Sequence, residues 1–199
     1  MLAIAVSKAN RVHRLEQSTS QYCFSIALVT KTDQAVEIFL NQPSSFICRN
    51  LERVIPDWIL PDAWVVIVLQ QSRFSLADTA PHVEREKDRL REKFIRFGFD
   101  VAFALRDRGF LTDLIDPRTG YPLLSRPGEI CHDDSAVVQA LLGFSVIHNS
   151  CSLLEHPVWG SAVYPGILMS SASPQAIKSI LKRFAVQHGW TVPHSKTEL

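Results

Sequence analysis

Apolar positions along this chain change their period several times, and each change marks an element. Cys23–Thr30 and Ala35–Leu40 are rich in β-branched and aromatic residues and read as strands, with Lys31–Gln34 as the turn between them. Asn50–Val54 reads as a short helix stopped before Pro56. Ala63–Gln70 is a near-continuous apolar run, too short for a helix, and reads as a buried central strand. His82–Arg108 is the longest element. Alternating acids and bases cover its first half, and Val83, Leu90, Phe94, Phe97, Val101 and Leu105 form one helical stripe. Gly109 supplies its stop, and Gly98 is an interior weak point, worth about 1 kcal/mol against alanine.

Phe110–Ile115 reads as a strand, Asp116–Gly120 as a turn and Tyr121–Leu124 as the returning strand. Asp133 or Asp134 caps a helix over Ser135–Leu142, with Gly143 as its stop. Phe144–His148 and Val158–Ser170 read as strands. Gly160 and Pro165, with Pro157 just before, suit an edge or a bulge in the second. Ser173 and Pro174 open a last helix whose apolar face is Ile177, Ile180, Leu181 and Phe184, and Gly189 ends it.

Strands and helices do not alternate regularly. The order predicts an α+β sandwich, with helices packed on a mostly antiparallel sheet. The division expected is an unassigned N-terminal segment over 1–35, one α+β domain over 36–190 and a polar tail over 191–199. With 199 residues, 46% of them hydrophobic, the chain is long enough for one globular core. A net charge of +1 gives no electrostatic case for nucleic acid or a membrane surface. No run reaches the roughly 18 apolar residues of a membrane span. The N-terminal stretch through Arg14 is basic and free of acids, as a transit peptide would be, but a first strand or edge segment is the plainer reading. Cys23, Cys48, Cys131 and Cys151 form no CxxC pair, which fits reduced thiols in a cytoplasmic protein.

Phosphate chemistry lacks its cradle: neither GxGxxG nor GxxxxGK[ST] occurs, and there is no GxSxG elbow. The densest chemical cluster runs from Cys131-His132-Asp133-Asp134 to His148, Cys151, Glu155 and His156. Those residue types could ligate zinc, but no pair has standard spacing, and Asp133 or Asp134 serves equally well as a helix cap. Cys151 stands out because it leaves a strand for a loop of small and polar residues, where packing does not explain a thiol. It is a nucleophile, with His148 or His156 as base, or a soft metal ligand, or incidental. Asp113, Asp116 and Arg118 could do acid–base work, although turn chemistry accounts for Asp116 and Gly120. Trp159 reads as a core residue in a bent strand rather than a partner-facing aromatic.

The segment Arg89–Gly120, with Glu92-Lys93-Phe94, Ala104-Leu105-Arg106 and Asp113–Gly120, resembles the methylmalonic aciduria and homocystinuria type D (CblD) family of cobalamin-trafficking proteins. Gly143-Phe144-Ser145-Val146, Cys151, His156, Trp159-Gly160 and Ser171-Ala172-Ser173-Pro174 follow in the family's order. The resemblance covers roughly residues 36 to 182, with Cys48 and the Trp64–Gln70 strand included. It implies a nitroreductase-like fold without flavin, and a non-enzymatic adaptor. That adaptor works with the type C (CblC) protein, which strips the upper ligand from cobalamin, and routes the product to cobalamin-dependent enzymes such as methionine synthase or methylmalonyl-CoA mutase. It also implies that Cys151 ligates cobalt in the joint complex. Some members carry two adjacent cysteines there; here Ser152 follows Cys151 and the loop is one residue shorter, so Cys151 matches either. A cytoplasmic location follows, with a mitochondrial one open if the source is eukaryotic. The competing reading is a flavin-dependent reductase of nitroreductase-like fold.

Overall fold

The computed structural model describes residues 23–58, 63–148 and 152–193. Five strands form one antiparallel sheet in the order β1-β2-β3-β7-β4, and two more form a separate hairpin, β5-β6. They are β1 (Phe24–Val29), β2 (Ala35–Asn41), β3 (Trp64–Gln71), β4 (Thr112–Leu114), β5 (Ser145–His148), β6 (Ser152–Glu155) and β7 (Val163–Ser170). The helices are α1 (Ser45–Val54), α2 (Pro81–Arg106), α3 (Asp134–Leu142) and α4 (Pro174–Gln187). The α+β architecture with a mostly antiparallel sheet is therefore as expected.

The sheet is covered on both faces, which is why the central strand reads as an unbroken apolar run. Val66 and Val68 of β3 face a core built with Phe94, Phe97 and Val101 of α2 and Ile177, Ile180 and Leu181 of α4. Val65, Ile67 and Leu69 face a second core with Ile47, Leu51 and Val54 of α1, Val137 and Val138 of α3, and Leu154 of β6. The stripe on α2 is buried throughout. Gly98 is no weak point: a Cβ there would stand 2.6 Å from Leu114 Cδ1, so the bare backbone lets α2 lie close on β4.

Several boundaries differ from the expected ones. Helix α1 begins at Ser45, because the Ser44 hydroxyl accepts the Ile47 N–H at 3.3 Å, and Ile47, Leu51 and Val54 make its buried stripe. The expected return strand at Tyr121–Leu124 is reduced to a single bridge, Ile115 to Pro122. The buried Asp113 carboxylate accepts the Leu124 N–H at 2.9 Å and shares the Leu123 N–H, at 3.1 Å, with the Leu114 carbonyl at 3.0 Å, so pairing stops there. Strand β6 lies where a loop was expected. Pro165 sits inside β7, but Ile167 turns its carbonyl toward Ile115 and Pro165 shares that direction, past the end of β4. Its missing N–H therefore costs no ladder bond. The sheet also crosses the expected domain limits: β1 pairs with β2 over Phe24–Val29, and Thr191 exchanges backbone hydrogen bonds with Val29.

Candidate functional site

The turn Asp116–Gly120 organises one side of the molecule. The Gly120 N–H donates to the Asp116 carbonyl at 2.8 Å with φ at +71°, a conformation that favours glycine. The Asp116 carboxylate takes two hydrogen bonds from Arg91 of α2, at 2.6 and 2.8 Å, and one from the Arg118 N–H at 3.1 Å. The Arg91 guanidinium holds that carboxyl below the usual range. Asp116 thus closes the turn, as expected, and in addition ties it to the long helix through Arg91.

The segment before α3 lies against this turn. His132 donates its N–H to the Gly120 carbonyl at 2.7 Å. One residue on, Asp133 caps α3 by accepting the Ala136 N–H at 3.1 Å. Pinned from both sides, the His132 side chain is buried, with Nδ1 3.1 Å from Asp134 Oδ1. The other polar atom of each residue, His132 Nε2 and Asp134 Oδ2, is buried with no hydrogen-bond partner. Burial pushes the Asp134 carboxyl up, with the His132 hydrogen bond opposing. Burial also pushes the Tyr164 phenol up, and the nearby Asp134 carboxylate adds to that.

These groups border a cleft of about 430 Å³. Lys87 of α2, Arg118 and Thr119 of the turn, Cys131–Ser135, Ser152–Leu154 of β6 and Val163–Pro165 of β7 line it. The two cations are already paired, Lys87 with Glu84 at 2.7 Å and Arg118 with Asp88. The cleft forms where β4 stops short of the free margin of β7, so it is a consequence of the sheet's shape.

Cys151 lies outside the described residues. In sequence it falls between β5 and β6, directly before Ser152, which lines the cleft. His148 ends β5, and its side chain is likewise outside what the structure describes. His156 is engaged at both nitrogens: Nδ1 accepts the N–H groups of Val158 and Trp159 at 3.1 and 3.2 Å, and Nε2 is 3.2 Å from Glu37 Oε2. Trp159 stacks on its ring at 3.8 Å. His156 therefore fastens the turn after β6 to strand β2 and is not set up as a base. Cys131 is an exposed free thiol on the cleft wall. No group of three or more His, Cys, Asp or Glu residues suited to a metal occurs among the described residues. Lys87 and Tyr164 were not singled out in the sequence; neither carries a local motif, and only the tertiary fold brings them to His132.

The profile of a family described as "Methylmalonic aciduria and homocystinuria type D protein" matches residues 4–183, starting well before residue 36, where the motif resemblance begins. Over 142 residues the chain is 25% identical to the cobalamin trafficking protein CblD of Homo sapiens, covering 71% of this chain and 48% of that protein. It is 26% identical over 151 residues to the Mus musculus protein of the same name, covering 75% and 50%. For the Gallus gallus protein the identity is 23% over 142 residues, covering 71% and 48%. The chain thus spans about half the length of the curated relatives it matches.

Proposed function

We propose, because this chain belongs to the methylmalonic aciduria and homocystinuria type D protein family, that it is a cobalamin-trafficking adaptor and not a catalyst. The observation that carries the reading is the family match across residues 4–183, which includes both the cleft and the β5–β6 hairpin. A type C partner holds the corrinoid, and the Cys151 thiolate supplies a soft ligand to its cobalt. The product then passes toward cobalamin-dependent enzymes of the methionine synthase or methylmalonyl-CoA mutase type. The free thiols Cys23, Cys48 and Cys131 are in keeping with a reducing, cytoplasmic setting, or a mitochondrial one in a eukaryote. Among the described residues no helix is long and apolar enough to cross a membrane.

An adaptor binds its cargo poorly alone. Titration of the purified chain with cob(II)alamin is expected to give no micromolar binding, and addition of a type C partner to restore it. Micromolar binding without the partner would point to a self-sufficient carrier. A yellow protein with a flavin spectrum would favour the reductase reading instead.

A further inference from the structure

Strand β1 is an outer strand of the main sheet, and part of its margin is open. Val29 turns its N–H and C=O away from β2 and exchanges hydrogen bonds with Thr191 at 2.8 and 2.9 Å. Ala27 and Ser25 share that direction, because strand groups alternate with a period of two. The antiparallel register that pairs Val29 with Thr191 sets Pro193 against Ala27, and proline has no N–H to give. Cys23 ends the stretch, since its N–H goes to Leu40 at 2.8 Å. The N–H and C=O groups of Ser25 and Ala27 thus have no backbone partner among the described residues. Both side chains are small and exposed, so nothing on them blocks a neighbouring strand.

Helix α4 supplies charge beside this margin. The Lys178 and Lys182 ammonium groups stand 4.9 and 5.9 Å from the ring centroid of Phe24, the first residue of β1. Both lysines are exposed, neither β1 nor α4 contains an acidic residue, and no ion pair engages either lysine among the described residues. The Glu37 carboxylate, on the residue opposite Ala27, belongs to the other face of the sheet and lies 3.2 Å from His156 Nε2. An open edge beside unpaired cations fits an extended acidic peptide that adds to the sheet as one more strand. Two other occupants fit worse. A second copy set edge to edge would bring two sets of Lys178 and Lys182 together. The residues before Cys23 are themselves basic, with Lys8, Arg11 and Arg14 against Glu16. We propose that β1 is a docking edge for an extended acidic segment of a partner protein. The segment pairs antiparallel with Ser25 and Ala27, like every other pairing in this sheet. Its residues directly opposite those two point away from α4, and the acidic residues between them point toward Lys178 and Lys182. This inference does not depend on the cobalamin reading.

The probe is a fluorescein-labelled synthetic peptide of alternating valine and glutamate, mixed with the full chain at low salt and followed by fluorescence anisotropy. Saturable binding is expected, weakening as sodium chloride is raised, and lost when lysine replaces glutamate in the peptide. N-methylation at the valines removes the donors that face β1 and should abolish binding. N-methylation at the glutamates touches the outward side and should not. In the chain, Lys178→Gln combined with Lys182→Gln should raise the half-saturating concentration about tenfold. Ala27→Pro removes an N–H that faces away from β2, a change an edge strand tolerates, and should abolish binding. Thermal melts confirm that both variants fold; if Ala27→Pro does not, the two N-methylated peptides still decide. Hydrogen exchange reports on the free edge: the Ser25 and Ala27 amides should exchange fast in the free chain and slowly with peptide bound. No binding of the peptide, or equal binding of the two N-methylated forms, would overturn the proposal. So would slow exchange in the free monomer, which gives the edge to the chain's own residues, or a dimer that Ala27→Pro dissociates, which gives it to a second copy.

Discussion

Replacing Gly120 by alanine tests whether the turn and the His132 segment are one unit. The first cost is conformational: φ at +71° places an L-residue in the left-handed region, worth about 1–2 kcal/mol. The second is steric, because the new Cβ would lie 2.6 Å from the His132 carbonyl oxygen and 3.0 Å from both His132 N and Cys131 Cβ. These are mostly backbone atoms, which cannot rotate away. Relief requires the 131–133 segment to shift, weakening the 2.7 Å hydrogen bond from His132 to Gly120 for about another 1 kcal/mol. The expected total is about 2–3 kcal/mol. Gly143→Ala is the built-in control, since Gly143 has φ at +72° but nothing within 4 Å of its Cβ position. It should lose only the conformational part, about 1–2 kcal/mol. Urea denaturation followed by tryptophan fluorescence measures both at once, with equal m-values confirming that midpoint differences reflect stability. Equal losses in the two variants would refute the packing argument.

Two further predictions concern pH. Asp116 is held below its usual pKa by Arg91, so its stabilisation is present above the unfolded value near 3.9 and is lost as pH falls through the folded one. Asp116→Asn should lose about 2–3 kcal/mol at neutral pH, and its denaturation midpoint should converge with the wild type in acid. Burial lowers the Lys93 pKa to about 8, against about 10.4 in the unfolded chain. Between those values the folded chain has released a proton that the unfolded chain keeps, so stability should rise with pH across that window. Lys93→Met, retaining contact with Trp190, should flatten that rise in denaturation curves recorded from pH 8 to 10.5; an unchanged slope would refute the assignment.

What could be read from the sequence was whatever a local period or cap encodes. The α2 stripe, the Ser173-Pro174 start of α4 and the α3 stop at Gly143 recur in the structure, and of the two candidate caps, Asp133 and Asp134, the structure uses Asp133. Helix α1 reads too short from the sequence because Pro56 marks only its end, although Ile47, Leu51 and Val54 already carry helical spacing. Strand β6 was missed because four residues, Ser-Leu-Leu-Glu, are too few to show a period. The return strand stops at one bridge for a non-local reason: Asp113 takes the Leu124 N–H and shares that of Leu123 with the Leu114 carbonyl. The cleft was out of reach altogether. Its walls come from α2, the Gly120 turn, the α3 cap, β6 and β7, and no spacing rule links Lys87, His132 and Tyr164. The Cys131-His132 pair was visible as chemistry, but the couple that forms is His132 with Asp134.

The central claim is the role of the Cys151 thiolate. A ternary mixture of this chain, a type C partner and cob(II)alamin should show a cobalt–sulfur change in the visible spectrum, strengthening as pH rises toward a thiol pKa of about 8.5. Cys151→Ser keeps the size of the side chain and removes the soft donor, so the change should vanish while the thermal melt stays the same. The same replacement at Cys23, Cys48 or Cys131 should leave it in place. If Cys131→Ser abolishes the signal and Cys151→Ser preserves it, the account is wrong and the thiol on the wall of the His132 cleft is the ligand.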